Sequence, residues 1–227
     1  MKKIFLTIGF FLFILNIVPA QNSQKTNLSL QVSAAATANR AQLVNYVWTR
    51  TIKVFEGGEL KLTTVNSMSV GSDGKLVASV VSSTPAKEPK SGILGDKDRK
   101  RLNELKGYVE NAMTVGQGYI YLSKGKMVDY FENAKITEVD KTINVAGNNV
   151  IKTGDQLTMN IAKGTLAYLN QSFKTTLSNK ENDPISGTVN YKTFSNGLTG
   201  VDNGEMDLLA KNLKLTLSNT NYAKKMH

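Results

Sequence analysis

The chain contains no cysteine, and its one histidine is residue 227, the last of the sequence. Thiol nucleophiles, cysteine-bearing metal sites, a disulfide scaffold and any mechanism resting on an internal imidazole are excluded by inventory. No G-x-S-x-G, P-loop or G-x-G-x-x-G occurs, and a single histidine cannot make H-E-x-x-H. Beyond the first twenty residues no stretch is apolar enough to span a membrane. What remains is an ordinary globular composition, 41% hydrophobic, with 28 Lys and Arg against 18 Asp and Glu. Disorder and a collagen repeat are ruled out by that composition.

Residues 1–20 have the layout of a cleavable export signal. Lys2 and Lys3 are followed by an apolar stretch from Ile4 to Val18 and a Val18-Pro19-Ala20 ending, which predicts cleavage near Ala20. The apolar run is shorter than the roughly 20 residues that cross a bilayer. Cleavage would remove two of the basic residues and no acidic one, so the positive balance belongs to the mature chain. The expected location is periplasmic or secreted, and residues 21–227 carry no composition break, which predicts one domain.

Helical spacing of Leu28, Val32, Ala35, Ala36 and Leu43 predicts a helix over 28–44. The period then falls to two. Residues 46–55, 60–70 and 76–83, separated by Gly57-Gly58 and by Ser72-Asp73-Gly74, read as a three-strand antiparallel meander. Pro85 and Pro89 mark a loop, and Leu102, Leu105, Val109, Ala112 and Met113 form the apolar stripe of a helix over 97–113. After Gly118 the pattern predicts strands alone: 119–122, 127–139, 143–145, 150–151, 157–162, 165–177, 188–194 and 213–217. Strands in runs, with helices set apart from them, define an α+β class. The expected architecture is a large curved antiparallel sheet with one face covered by helices.

Three weak chemical signals occur. Ser123-Lys-Gly-Lys126 fits S-x-x-K and Lys152-Thr-Gly154 fits K-T-G, the order used by serine acyl-enzymes. The serine must open a helix in that chemistry, whereas here the tetrapeptide reads as a hairpin turn between strands. Glu181-Asn-Asp183 and Asp202-Asn-Gly-Glu205-Met-Asp207 group oxygen ligands, but they read as solvated turns. A hydrolase with two carboxylates is a third functional class, to which no specific pair points. Residues 87–106 hold seven cations against four acids. Lys97, Arg99, Lys100 and Arg101 are the group expected to meet an anionic membrane surface, with a solvated helix face as the plainer reading. Nucleic acid is not an expected partner.

The sequence resembles the periplasmic outer-membrane lipoprotein carrier superfamily. The resemblance is strongest over 143–222: Ile143-Asn-Val-Ala-Gly147-Asn-Asn-Val150, Gly154-Asp155-Gln-Leu157-Thr158-Met159, residues 165–177, Gly187-Thr-Val-Asn-Tyr191, Asn196-Gly-Leu198 and Leu213-Lys-Leu-Thr-Leu217 through Tyr222. It departs from the carriers at 159–169, where Asn160, Ala162 and Thr165 stand and proline is absent. What the resemblance implies is a half-open barrel whose concave face, closed by helices, holds acyl chains of a lipid or lipidated protein without reacting with them. No enzyme, metal or cofactor is implied, and a monomer is expected.

Residues placed to line such a cavity are Trp48, Ile52, Val54, Leu60, Leu62, Met68, Met127, Met159, Leu169 and Phe173. Methionine suits adaptable apolar contacts, although inward apolar residues on strands are core by default. Arg50 shares a strand face with Trp48 and Ile52 and either meets a headgroup or lies at a wet edge. The alternative function is a structural or interaction module of the bacterial envelope without a lipid ligand.

Overall fold

A computed structural model of the chain describes residues 17–72, 74–89, 92–177 and 183–225, without the side chains of 17–22 and 92–94. The export signal expected at 1–20 therefore falls outside the described residues up to 16. Asp73 of the turn after residue 70, Glu181 and Asn182 of one acidic group, and His227 lie outside them as well.

The described chain runs α1 (Ile17–Leu43), β1 (Tyr46–Glu56), β2 (Glu59–Val70), β3 (Leu76–Pro85), α2 (Gly92–Ile120), α3 (Lys124–Asn133), β4 (Lys135–Val139), β5 (Thr142–Asn148), β6 (Gln156–Ala162), β7 (Tyr168–Thr176), β8 (Pro184–Thr193), β9 (Thr199–Leu208) and β10 (Leu213–Lys224). All ten strands form one curved, open sheet in the order β3-β2-β1-β10-β9-β8-β7-β6-β5-β4. Each pair is antiparallel. The α+β class and the large antiparallel sheet are as expected. Every sheet neighbour is also a sequence neighbour except at β1 and β10, which pair from Tyr46↔Lys224 to Glu56↔Leu213. In sequence, α2 and α3 connect the two edge strands, β3 and β4.

One face of the sheet carries the core. Along β1, Trp48, Arg50, Ile52 and Val54 are buried in alternation, and β6 repeats the pattern with Leu157, Met159 and Ile161. Ile52 and Val54 of β1 and the three β6 side chains meet Val32 of α1, Val109 and Ala112 of α2, and Met127, Tyr130 and Phe131 of α3 in one cluster. Each fully buried side chain of this size contributes about 1.5–3 kcal/mol. Phe173 lies over β8 where Gly187 leaves room: a Cβ there would stand 2.6 Å from the ring. The helices are tied to the frame by polar contacts. Lys25 of α1 donates to the carbonyls of Glu132 and Ala134 at 3.3 and 2.9 Å, capping the negative end of α3. Asp155, 1% exposed, accepts the N–H groups of Val150, Ile151 and Lys152 and the Tyr119 hydroxyl.

The structure corrects several expectations. Helix α2 extends from 92 to 120 rather than 97 to 113, and the expected strand at 119–122 is its last two residues and the turn after them. Residues 127–139 are not one strand: 124–133 form α3, because Ser123 caps it by accepting the Lys126 N–H at 3.4 Å. Residues 150–151, expected as a strand, fold instead as the loop bound by Asp155. Asp202 to Asp207, expected as a turn, is the middle of β9, paired with β8 and β10. Its Gly204 is buried where an added Cβ would stand 2.8 Å from the Thr188 carbonyl, so the residue that suggested a turn serves close strand packing.

Candidate functional site

The sequence-expected lining residues divide. Ile52, Val54, Leu62, Met127, Met159 and Phe173 are packed in the main core. Trp48 and Met68 belong to a second, smaller cluster with Leu43, Val70 and Leu198. Leu60 and Leu169 do not face the interior: they are 38% and 41% exposed. Leu60 sits at the turn end of the β1–β2 hairpin, past a register shift at Val54/Phe55. Leu169 is the extra residue of a β-bulge, because Asn160 pairs with Asn170 and Ile161 with Tyr168. The bulge turns Leu169 outward and puts Tyr168 on the inner face in its place.

Tyr168 borders the apolar-walled cavity of the inner face, a space of about 260 Å³. Helix α1 supplies one wall through Ala35, Ala36 and Ala38, whose single methyl groups leave the volume open. Tyr168 and Tyr191 supply another, their rings 5.5 Å apart, and the end of α2 at Ile120 and Tyr121 closes a third. The wall is held in place by Asn39, which donates to the Thr199 carbonyl at 2.7 Å and accepts the Thr199 N–H at 2.8 Å. This pair of hydrogen bonds joins α1 to the start of β9. The Tyr191 hydroxyl donates to Gln171 Oε1, and the Nε2 of Gln171, a residue 1% exposed, has no hydrogen-bond partner among the described residues.

Behind Tyr121 lies a smaller space of about 40 Å³, walled by Phe173, Met206, Leu215 and Leu217 among others, and by Arg50. Ile120, Tyr121 and Val201 border both spaces, so Tyr121 stands between them. Arg50 is 5% exposed. Its Nε donates to Asn219 Oδ1 at 3.0 Å, while Asn219 Nδ2 and the Tyr222 hydroxyl donate to the Val201 carbonyl at 2.9 and 2.7 Å. Tyr222 stacks on Trp48 at 5.2 Å and lies over Gly200, whose lack of a side chain admits the ring. The Arg40 guanidinium sits 4.9 Å from the Tyr121 ring centroid.

Burial lowers the Arg50 pKa, and the phenols of Tyr121 and Tyr222 offset part of that loss. Burial likewise raises the Tyr121 phenol, against the pull of Arg50 and Arg40. Burial pushes Tyr168 up to about 12 and Tyr191 well above the ordinary phenol range. The tyrosines are therefore neutral donors at neutral pH, and the two arginines are the cations of the site.

The serine acyl-enzyme signal changes form without gaining a site. Ser123 does open a helix, contrary to the hairpin expected, but its side chain is the α3 cap. Lys152 of the K-T-G match points its ammonium at the Thr176 carbonyl and hydroxyl, at 2.5 and 2.7 Å. Among the cations of α2, Arg99 pairs with Asp96 and Arg101 with Glu56, while Lys97 and Lys100 are exposed. Among the described residues no helix is long and apolar enough to cross a membrane.

Of the tyrosine and arginine frame, the expected site included Arg50 but not Arg40 or the tyrosines. Tyr121 was assigned to a strand, and Tyr168 was passed over for Leu169. The available signal was the occurrence of Tyr168, Tyr191 and Tyr222 within the segments of carrier resemblance.

No protein-family model matches the chain, and no curated protein matches it. Solved structures to which it is similar include a DUF1329 family protein from Desulfovibrio piger, with 10% identity and a TM-score of 0.41, covering 90% of this chain and 93% of that one. Another is a LolA superfamily protein from Nitrosomonas europaea, with 10% identity, a TM-score of 0.37, and 88% and 94% covered. A third is an outer membrane lipoprotein-sorting protein domain from Vibrio parahaemolyticus, with 9% identity, a TM-score of 0.39, and 87% and 94% covered.

Proposed function

We propose that this protein is an exported, non-enzymatic carrier that shields acyl chains of a lipid or lipidated protein beneath α1. The observation that carries this reading is the 260 Å³ space walled by alanines on one side and tyrosines on the other. Most pockets for apolar ligands combine such a lining with a few placed polar groups. A helix presenting Ala35, Ala36 and Ala38 forgoes the packing that leucines would give, which is the expected cost of keeping a volume open. Lys97 and Lys100 on α2 are the cations we assign to contact with an anionic membrane surface during exchange. Export is part of the proposal and rests on the layout of residues 1–20.

The test is recovery of bound material. Protein purified from its native envelope without detergent is denatured and its organic extract analysed by mass spectrometry. Acyl compounds at near one equivalent are expected, and A36L should abolish them. An empty extract, together with failure to bind a fluorescent acyl probe, would overturn the reading.

One observation favours a second reading, an interaction module. Edge strand β3 carries Val77, Val80 and Val81 at 48%, 67% and 68% exposure and has no charged side chain within Leu76–Pro85. Uncharged edges are templates for strand addition. V80K should abolish a partner complex on this reading and leave acyl binding unchanged on the first.

A further inference from the structure

Arg50 is a charge buried without an acid. Removing a guanidinium from water costs several kcal/mol unless a counter-charge or a full set of hydrogen bonds replaces the solvent. Asn219 Oδ1 takes the Nε–H, and the Tyr121 phenol is the other side-chain partner. Among the described residues no carboxylate contributes to its electrostatic surroundings. Glu205, which also borders the 40 Å³ space, is engaged at 2.6 Å by Lys214. Guanidinium has five N–H donors in a planar fork matched to two-oxygen anions, so donors remain for a ligand.

The placement of the two spaces gives that ligand a shape. The small one, next to Arg50, is mostly apolar-walled, with Gln117 and the Lys214-paired Glu205 also on its border, and is large enough for a carboxylate-sized group. The large one, next to Arg40, is walled by alanine and tyrosine. Tyr121 is common to both and interacts with both arginines. A neutral glyceride would leave Arg50 uncompensated, whereas an anion would supply the missing counter-charge.

Building on the carrier reading, we propose that the ligand is an anionic amphiphile, a carboxylate or a phosphate monoester, whose headgroup is held by Arg50 with Tyr121 as a second donor and whose chain occupies the space beneath α1. The chain passes Val201 and Ile120, which border both spaces, and the Tyr121 side chain swings to join them.

The test uses the full chain and three competitors of equal chain length, hexadecanoate, hexadecyl phosphate and hexadecanol, displacing a fluorescent acyl probe. Both or one of the anions should displace it at least about tenfold better than the alcohol, as charge-assisted hydrogen bonds exceed neutral ones. The more effective anion tells carboxylate from phosphate. R50Q should remove the preference, and R50K should retain part of it. Equal displacement by all three, or an anion preference that survives R50Q, overturns the inference and leaves the carrier reading standing. Failure of the probe to bind at all overturns both. The wild-type comparison needs no variant, so it decides even where R50Q does not fold.

Discussion

The two regions of the inner sheet face are filled in opposite ways. Around Phe131, Tyr130 and Val145, helix α3 inserts bulky side chains that are 0–3% exposed, and Tyr130 sends its hydroxyl to the carbonyls of Val145 and Leu157. Beneath α1 the helix instead offers alanines, and Tyr121, Tyr168 and Tyr191 stand on the opposite walls. The first region is a jigsaw whose purpose is stability. The second keeps its space open because hydroxyls, rings and a clamped helix hold its walls apart. In the same fold, then, packing quality separates structure from site.

The largest expected effect breaks the packed region. F131A removes a fully buried ring that meets Tyr130 edge-on at 5.7 Å and should cost about 3–5 kcal/mol, read from chemical denaturation. Next is D155N, which replaces a carboxylate accepting three backbone N–H groups and a phenol. A loss of about 2–3 kcal/mol is expected in the same assay. N39A frees the end of α1 from Thr199 and should cost about 1–2 kcal/mol, with a larger proportional rise in the rate of acyl-probe exchange. The smallest stability effect belongs to A36L, within about 0.5 kcal/mol because both residues are strong helix formers and space is present, although binding should be lost. If A36L destabilises as much as N39A, the contrast between the two regions fails.

High pH sharpens the same contrast. The Tyr168 phenol is raised from 10.0 to about 12 in the fold, so its contribution to stability is fully present below pH 10 and declines as pH rises toward 12. A Y168F variant should flatten the fall in denaturation midpoint over that interval, and an unchanged slope would count against a buried neutral phenol at this wall.

The frame was more legible in the sequence than the site. Strands β1 and β2 announce themselves by alternation and by Gly57-Gly58, both at positive φ in the turn. Strand β9 was hidden because Asp202, Asn203 and Gly204 have turn chemistry, and only pairing on both sides overrides it. Helix α3 was hidden because Met127, Val128, Tyr130 and Phe131 suit a strand equally well, leaving the decision to the Ser123 cap and to packing. Arg50 was picked out as anomalous on its strand face, and it is buried there. Tyr168 was not, because the bulge at Leu169 that inverts the facing of the strand depends on the neighbouring register.

The seam between β1 and β10 has a consequence for how the molecule forms. Strands β1 to β3 and strands β4 to β10 are each built from sequence neighbours, but only pairing of residues 46–56 with 213–224 unites them. Either meander can assemble locally, yet the sheet stays in two pieces until residues 213–224 pair with β1. Closing so long a loop makes union the slow step, and until then the β1 edge is unpaired along its full length. A holding partner during that interval would therefore be expected to bind the β1 edge.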